Sequence, residues 1–424
     1  MKWLRDCVIV LSVVVVGLAG LELALRLAFP DKAPKTGDLM GHDHYIVALR
    51  PGWDGWYERN AADGGDRIHY RINEFGFRGG AIPDGAQPDV MVFGDSNVQA
   101  VFSTEEATFA AQLGEQLSQA VGQPVLTVNA GVKGYGPDQS LARMRDELGR
   151  WHPKTIVVVL FAENDYGDLM RNRLFKVEDG KTLVAYESSG DPGATWEFGT
   201  WLAEAASETM LGKVAKRIGN AIAGPPDKPD RARYVAALLR RSQDEYENYI
   251  DPFGEVWGGD HYDFDIALMP DSDSSRVKRQ LMDATIKEIA ALAKAHEVDN
   301  LIFLVLPSRV DASMNDPINY QYLSSAHDNY RRYALTAPIK TTLEENNLHY
   351  IDLSEYFMAD DKSPYYLADG HWNDAGQALA AELVASYMLK HFPHMAAPTT
   401  MGQSDSSSNQ DSGRYNTDPA PAHE

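Results

Sequence analysis

Short, largely apolar runs separated by amphipathic stretches constrain this chain more than any other feature. Val90–Phe93, Val125–Asn129, Ile156–Phe161, Leu301–Leu306 and Tyr350–Leu353 all have the composition of β-strands. Between them the period changes. Met282, Ile286, Ile289 and Ala293 recur at helical spacing, as do Ala375, Leu379, Leu383 and Tyr387 after Asn373, a residue suited to cap a helix. Helices are also expected over Glu105–Val121 and Asp138–Arg150. A strand with helices on both sides meets no water and must be apolar throughout. The pattern therefore predicts an α/β fold in three layers, with a parallel sheet of about five strands.

The stretch between residues 161 and 301 is far longer than an ordinary crossover between neighbouring strands. Residues 166–275 are accordingly read as an insertion after the third strand, either a lid or substrate subdomain or a structural embellishment. It holds a locally basic helical stretch (Leu202–Ala223), a proline-rich break (Pro225–Pro229) and an aromatic, acidic stretch (Asp244–Asp265). The core domain is then 89–165 with 276–393. Residues 31–88 form a lead-in that Trp53, Trp56, Tyr57, Tyr70, Phe75 and Phe77 would pack onto that core. Residues 394–424, rich in Ser, Asp, Asn and Pro, are expected to be disordered.

The first residues, 1–30, bear on location. Lys2 and Arg5 precede an uncharged run from Cys7 to Leu21, and Glu22 and Arg26 follow at a spacing that lets them pair on one helix face. Read through Phe29, the segment approaches the roughly 20 residues a bilayer requires. It is expected to be an uncleaved signal anchor, crossing a bacterial inner membrane once through residues 7–29. Basic residues ahead of it put the rest of the chain in the periplasm or outside the cell. The net charge is −22 over 424 residues. An acidic chain lacks the basic stripe that a phosphate backbone needs, which excludes nucleic acid as a partner. The one cysteine, Cys7, lies in the apolar segment, so neither a disulfide framework nor a cysteine nucleophile is available downstream.

Four polar blocks stand where strands end. In an open parallel sheet the active crevice lies beyond the carboxyl ends of the strands. Gly94-Asp95-Ser96-Asn97 follows the first strand; it offers a serine on a turn, or only a helix cap. Asn129-Ala130-Gly131 follows the second; a glycine lets a backbone N–H approach a ligand, or only makes a turn. Ala162-Glu163-Asn164-Asp165 follows the third, where Asn164 offers a side-chain donor or an Asx turn. Asp369-Gly370-His371-Trp372-Asn373 precedes the last helix. Serine is a weak nucleophile at neutral pH and needs a base; histidine is suited to that role, with an acid to fix its tautomer. Asp369 is two residues from His371, near enough to reach its ring, although His371 alone reads as a surface histidine. Gly41-His42-Asp43-His44 has a spacing a metal could use, but no third ligand is placed by the sequence, and no metal or cofactor is expected.

In this order the blocks resemble the SGNH (GDSL-like) hydrolase superfamily. The resemblance spans about residues 68–392 without the insertion, and it implies the three-layer, flavodoxin-like SGNH fold. It implies Ser96 as nucleophile, Gly131 and Asn164 as oxyanion donors, His371 as general base and Asp369 as its orienting acid. Arg71–Gly79 is similar to the Asn-x-x-Gly-Phe-Arg segment ahead of the serine block in bacterial envelope members. Two departures stand out. Ala162 occupies a position usually held by glycine, and the acid lies two rather than three residues before the histidine. The resulting Asp-x-His-Trp block is similar to the acyltransferase branch, which includes the O-acetyltransferases of alginate and related exopolysaccharides.

The expected activity is hydrolysis of O-acyl, above all O-acetyl, esters of envelope or exopolysaccharide carbohydrate through an acyl-enzyme. O-acetyl transfer to a polysaccharide by the same residues is the enzymatic alternative, and a non-catalytic carbohydrate-binding or assembly protein is the other. Trp372 and Asn97 are candidates for substrate binding.

Overall fold

The computed structural model describes residues 2–28, 37–172, 174–185, 209, 211, 266–267, 270–271, 273–313, 332–359, 363–368 and 370–392. Asp369, the tail 394–424 and most of the insertion, including its proline-rich and aromatic stretches, lie outside them. The first element is helix α1, Lys2–Ala28. Among the described residues, no helix is long and apolar enough to cross a membrane. Within this helix the uncharged stretch from Cys7 to Leu21 is followed by Glu22 and Arg26.

The lead-in forms two antiparallel pairs: β1 (Leu39–His42) with β2 (Ile46–Leu49), and β3 (Asp54–Glu58) with β4 (Arg67–Arg71). The core follows with β5 (Val90–Phe93), α2 (Ser96–Gln99), α3 (Phe109–Val121), β6 (Thr127–Asn129), α4 (Pro137–Trp151) and β7 (Thr155–Phe161). After β7 come α5 (Asp165–Asn172) and a hairpin of β8 (Phe175–Glu178) and β9 (Thr182–Ala185). The remaining elements are α6 (Asp273–Ala295), β10 (Asn300–Leu306), α7 (Arg309–Ala312), α8 (Thr336–Glu345), β11 (His349–Asp352), α9 (Ser354–Phe357) and α10 (Asp374–His391).

Five strands make one all-parallel sheet in the order β11-β10-β7-β5-β6. The chain runs outward from β5 to β6, then returns past β5 to β7. That reversal opens a crevice beyond the carboxyl ends of β5 and β7, where ligands bind in open α/β sheets. Alternate residues serve the two faces. Met91, Phe93, Ile156, Val158 and Leu160 pack with Leu141, Met144 and Leu148 of α4 and Met282, Ile286 and Ile289 of α6. Val90, Val92, Val157 and Val159 pack with Phe109, Leu113 and Leu117 of α3 and Ala380, Val384 and Met388 of α10. This is the three-layer α/β arrangement expected.

Helix boundaries follow their caps. Asn373 caps α10, its Oδ1 accepting the Gly376 N–H at 2.9 Å. Helix α3 begins at Phe109 rather than Glu105, because Thr108 takes the cap position and accepts from Ala111 N–H.

Parts of the lead-in meet the core directly. Tyr70 and Ile72 join Val101, Val132, Tyr135 and Ala142 in a third cluster. Phe75 and Phe77 present their rings edge-on to Trp151 at 5.0 and 5.8 Å. Asn73 Oδ1 accepts the N–H groups of both Phe75 and Phe77 at 3.0 Å, which shapes the Asn-Glu-Phe-Gly-Phe turn. Arg78 lies over the Tyr70 ring at 4.1 Å and donates to Ser103 O, so this turn braces the chain that follows Ser96. Trp56 is the exception, half exposed on β3.

Candidate active site

Strand β5 ends and the chain turns at once into α2. Asp95 caps that helix: its Oδ1 accepts the Asn97 N–H at 2.9 Å and its Oδ2 accepts from Asn97 Nδ2 at 3.2 Å. Ser96, the first residue of α2, is half-buried. Burial pushes the Asp95 carboxyl up from its ordinary value, opposed by the Asn97 hydrogen bonds and by the charge of nearby His371. At the end of β7 a second carboxyl, Asp165, accepts the Phe161 N–H at 2.7 Å. Burial pushes it well up, and the negative charge of Asp95 adds to the shift.

The histidine block reaches this place through one hydrogen bond. Trp372 N–H donates to Asn97 Oδ1 at 3.1 Å. Ser96 and His371 therefore each sit one residue from the same contact. Gln377 on α10 secures it, donating to the Asn97 carbonyl at 2.8 Å while its Oε1 accepts the Phe109 N–H at 2.7 Å. The His371 ring meets Phe102 edge-on at 5.8 Å. Gly370 adopts φ +96°, in the left-handed region that favours glycine, and a side chain there would strike the Arg309 guanidinium. Arg309 is paired with Glu163 at 2.9 Å, and its N–H donates to the same carboxylate at 2.8 Å. The loop before His371 thus rests on a largely buried ion pair that starts beside Asn164.

Gly131 is placed by close approach. A Cβ there would lie 2.6 Å from Val98 Cβ and 2.5 Å from Gln99 N, so only glycine lets this turn touch α2. Asn129 stitches the same turn: its Nδ2 donates to Val98 O at 2.7 Å and its Oδ1 accepts the Gly131 N–H at 3.0 Å. The Asn164 side chain donates from Nδ2 to Asp168 Oδ2 at 3.2 Å. Both candidate oxyanion donors are therefore engaged inside the protein, and receiving an oxyanion would require them to exchange partners.

The structure brings Ser96, Gly131, Asn164 and His371 to the carboxyl ends of β5, β6 and β7 and the start of α10. Asp369 lies outside the described residues. Asn97 and Trp372, expected to meet substrate, occupy packing positions instead. Each is about 2 % exposed; Asn97 is committed to Trp372 and Asp95, and Trp372 is packed between the rings of Phe109 and Phe357. Sequence reasoning missed Gln377, Asn129 and the Glu163–Arg309 pair. Asn129 and Glu163 stood inside the blocks, whereas Gln377 and Arg309 carry no local signal. Among the described residues, the one group suited to hold a metal is elsewhere, at His42, His44 and Asp146.

Residues 268–417 match the family model described as "SGNH hydrolase-like domain, acetyltransferase AlgX". This segment is thus similar to an SGNH hydrolase-like acetyltransferase domain, in line with the resemblance read from the four blocks. The match carries the block around His371, while Ser96, Gly131 and Asn164 precede it. No curated protein matches this chain. Solved structures similar to it include a lipase/acylhydrolase from Enterococcus faecalis, 13% identical, covering 71% of this chain and 95% of that one at a TM-score of 0.34. An esterase from Pseudoalteromonas sp. is 12% identical, covering 71% and 97% at a TM-score of 0.33. A catalytic mutant of an acetylxylan esterase from Geobacillus stearothermophilus is 12% identical, covering 73% and 95% at a TM-score of 0.34.

Proposed function

We propose that this protein is an acyl-transfer enzyme that moves an O-acyl group, in the simplest case acetyl, from a carbohydrate ester through an acyl-Ser96 intermediate. The observation that supports it most is the Asn97–Trp372 hydrogen bond, which holds the serine and histidine blocks together at the crevice of the sheet. His371 takes the Ser96 proton as Oγ attacks the ester carbonyl carbon. The tetrahedral oxyanion is received by the N–H groups of Ser96 and Gly131 and the Asn164 amide, the last two leaving Asn129 and Asp168 to do so. The C–O bond to the alcohol breaks, and the departing oxygen takes the proton from His371. A second hydroxyl then loses its proton to His371 and attacks acyl-Ser96, and the proton returns to Ser96. Asp369 is assigned the orienting role by the resemblance alone.

Water as the second hydroxyl gives the esterase expected from the sequence, and a sugar hydroxyl gives an O-acetyltransferase. The match of residues 268–417 to an acetyltransferase family favours the sugar. An envelope setting is part of the proposal, supported by Lys2 and Arg5 ahead of the apolar run. The test supplies an acetyl ester donor with and without an oligosaccharide acceptor. Acetylated oligosaccharide supports transfer, acetate alone supports hydrolysis, and equal turnover by Ser96→Ala would defeat both.

A further inference from the structure

We propose a divalent transition-metal site, of the kind zinc occupies, formed by His42, His44 and Asp146. One donor atom from each lies within 4.8 Å of the other two. His42 ends β1 and His44 lies in the turn of the β1–β2 hairpin, while Asp146 belongs to α4, so the fold brings the third donor from 102 residues away.

The turn is held in place from below. Tyr45 is buried, with its ring stacked on His42 at 3.6 Å and edge-on to Tyr135 at 6.2 Å. Its carbonyl accepts from Gln139 Nε2 of α4 at 2.9 Å. Gln139 and Asp146 are seven apart, two turns along one helix face. The same contact that docks the turn on α4 therefore sets His44 against Asp146, with His44 Nδ1 2.7 Å from Asp146 Oδ2. His42 Nδ1 accepts the His44 backbone N–H at 3.3 Å, so it is the nitrogen that carries the lone pair, and it would exchange this weak contact for the metal.

Two imidazoles and a carboxylate are donors that zinc accepts, and three protein ligands leave a fourth position for water. The charges nearby permit a cation. Asp43 and Asp146 face His42 with negative charge, and among the described residues the positive group acting on it, Arg143, has its guanidinium committed to Ala130 O and Gly76 O at 3.0 and 2.9 Å. On binding, the proton held between His44 and Asp146 leaves to solvent. The consequence is a cross-link that ties the lead-in hairpin to α4.

The test uses the full chain with Zn²⁺, by calorimetry and by thermal melting. The expected result is one Zn²⁺ per chain and a melting temperature that rises with Zn²⁺. Asp146→Asn should weaken binding about tenfold or more, and the double variant His42→Ala/His44→Ala should abolish the Zn²⁺-dependent rise with ester turnover unchanged. Substitution with Co²⁺ needs no variant, and the intense visible band of a tetrahedral site is expected. No Zn²⁺ uptake by the wild-type chain, only a weak octahedral Co²⁺ band, or wild-type Zn²⁺ stoichiometry and affinity in the double variant would each overturn the proposal.

Discussion

The Oδ1 atom of Asn97 accepts the backbone N–H of Trp372 at 3.1 Å, so the turn that carries Ser96 and the loop that carries His371 share one buried hydrogen bond. Asn97 also donates to Asp95, and its carbonyl receives Gln377. Replacing Asn97 by alanine leaves buried partners unsatisfied, at about 1–3 kcal/mol for each group stranded. Asn97→Ala is therefore expected to lower the melting temperature. It should also lower kcat by about a hundredfold, the scale of an ångström-sized misplacement of reacting groups. Gln377→Leu should act in the same direction and more weakly. Thermal melts with ester kinetics check both, and unchanged kcat in Asn97→Ala would contradict the arrangement.

Gly131→Ala should be costly for a steric reason. The new methyl meets the Val98 side chain and the Gln99 backbone at 2.5–2.6 Å, and backbone does not yield as a flexible side chain would. Overpacking of this kind costs about 1–3 kcal/mol. The strain falls on α2, so kcat should drop further than stability alone explains. A denaturant titration together with kcat on the folded variant separates the two effects.

Glu163 and Arg309 form a pair with side chains 7% and 19% exposed. Glu163→Gln or Arg309→Met leaves one charge poorly compensated, and breaking a buried pair costs about 3–5 kcal/mol. The double variant should lose less than the sum of the two singles. Strict additivity across the double-mutant cycle would show that the two side chains do not interact as the geometry implies.

Asp165 gives the pH dependence. Burial holds its folded pKa above the unfolded value. The stability tied to its protonated form is fully present below the unfolded carboxylate range, near pH ~4, and is lost as pH rises through the folded pKa. Asp165→Asn removes that loss and keeps an oxygen for the Phe161 N–H. The variant should match the wild type in acid and exceed its stability at neutral and mildly alkaline pH. Denaturant midpoints measured across pH test this, and a variant that loses ground to wild type as pH rises would contradict it.

The sheet was legible in the sequence because a strand covered on both faces has to be apolar, as Ile156–Phe161 and Leu301–Leu306 are. The start of α10 was legible because Asn373 is a local cap signal. The start of α3 was misplaced since the residues from Thr104 to Ala107 carry helix-compatible composition but turn before Thr108 caps. Of the site, the four blocks could be read because strand ends mark where a crevice must be. What joins them could not be read. Gln377 meets Asn97 across 280 residues, and no local pattern announces such a contact.

The most direct test is covalent labelling of the folded chain with a serine-directed fluorophosphonate, followed by peptide mapping. One modified residue is expected, Ser96, with labelling abolished in Ser96→Ala and strongly slowed in His371→Ala. Labelling that persists in Ser96→Ala, or that maps to another serine, would contradict it.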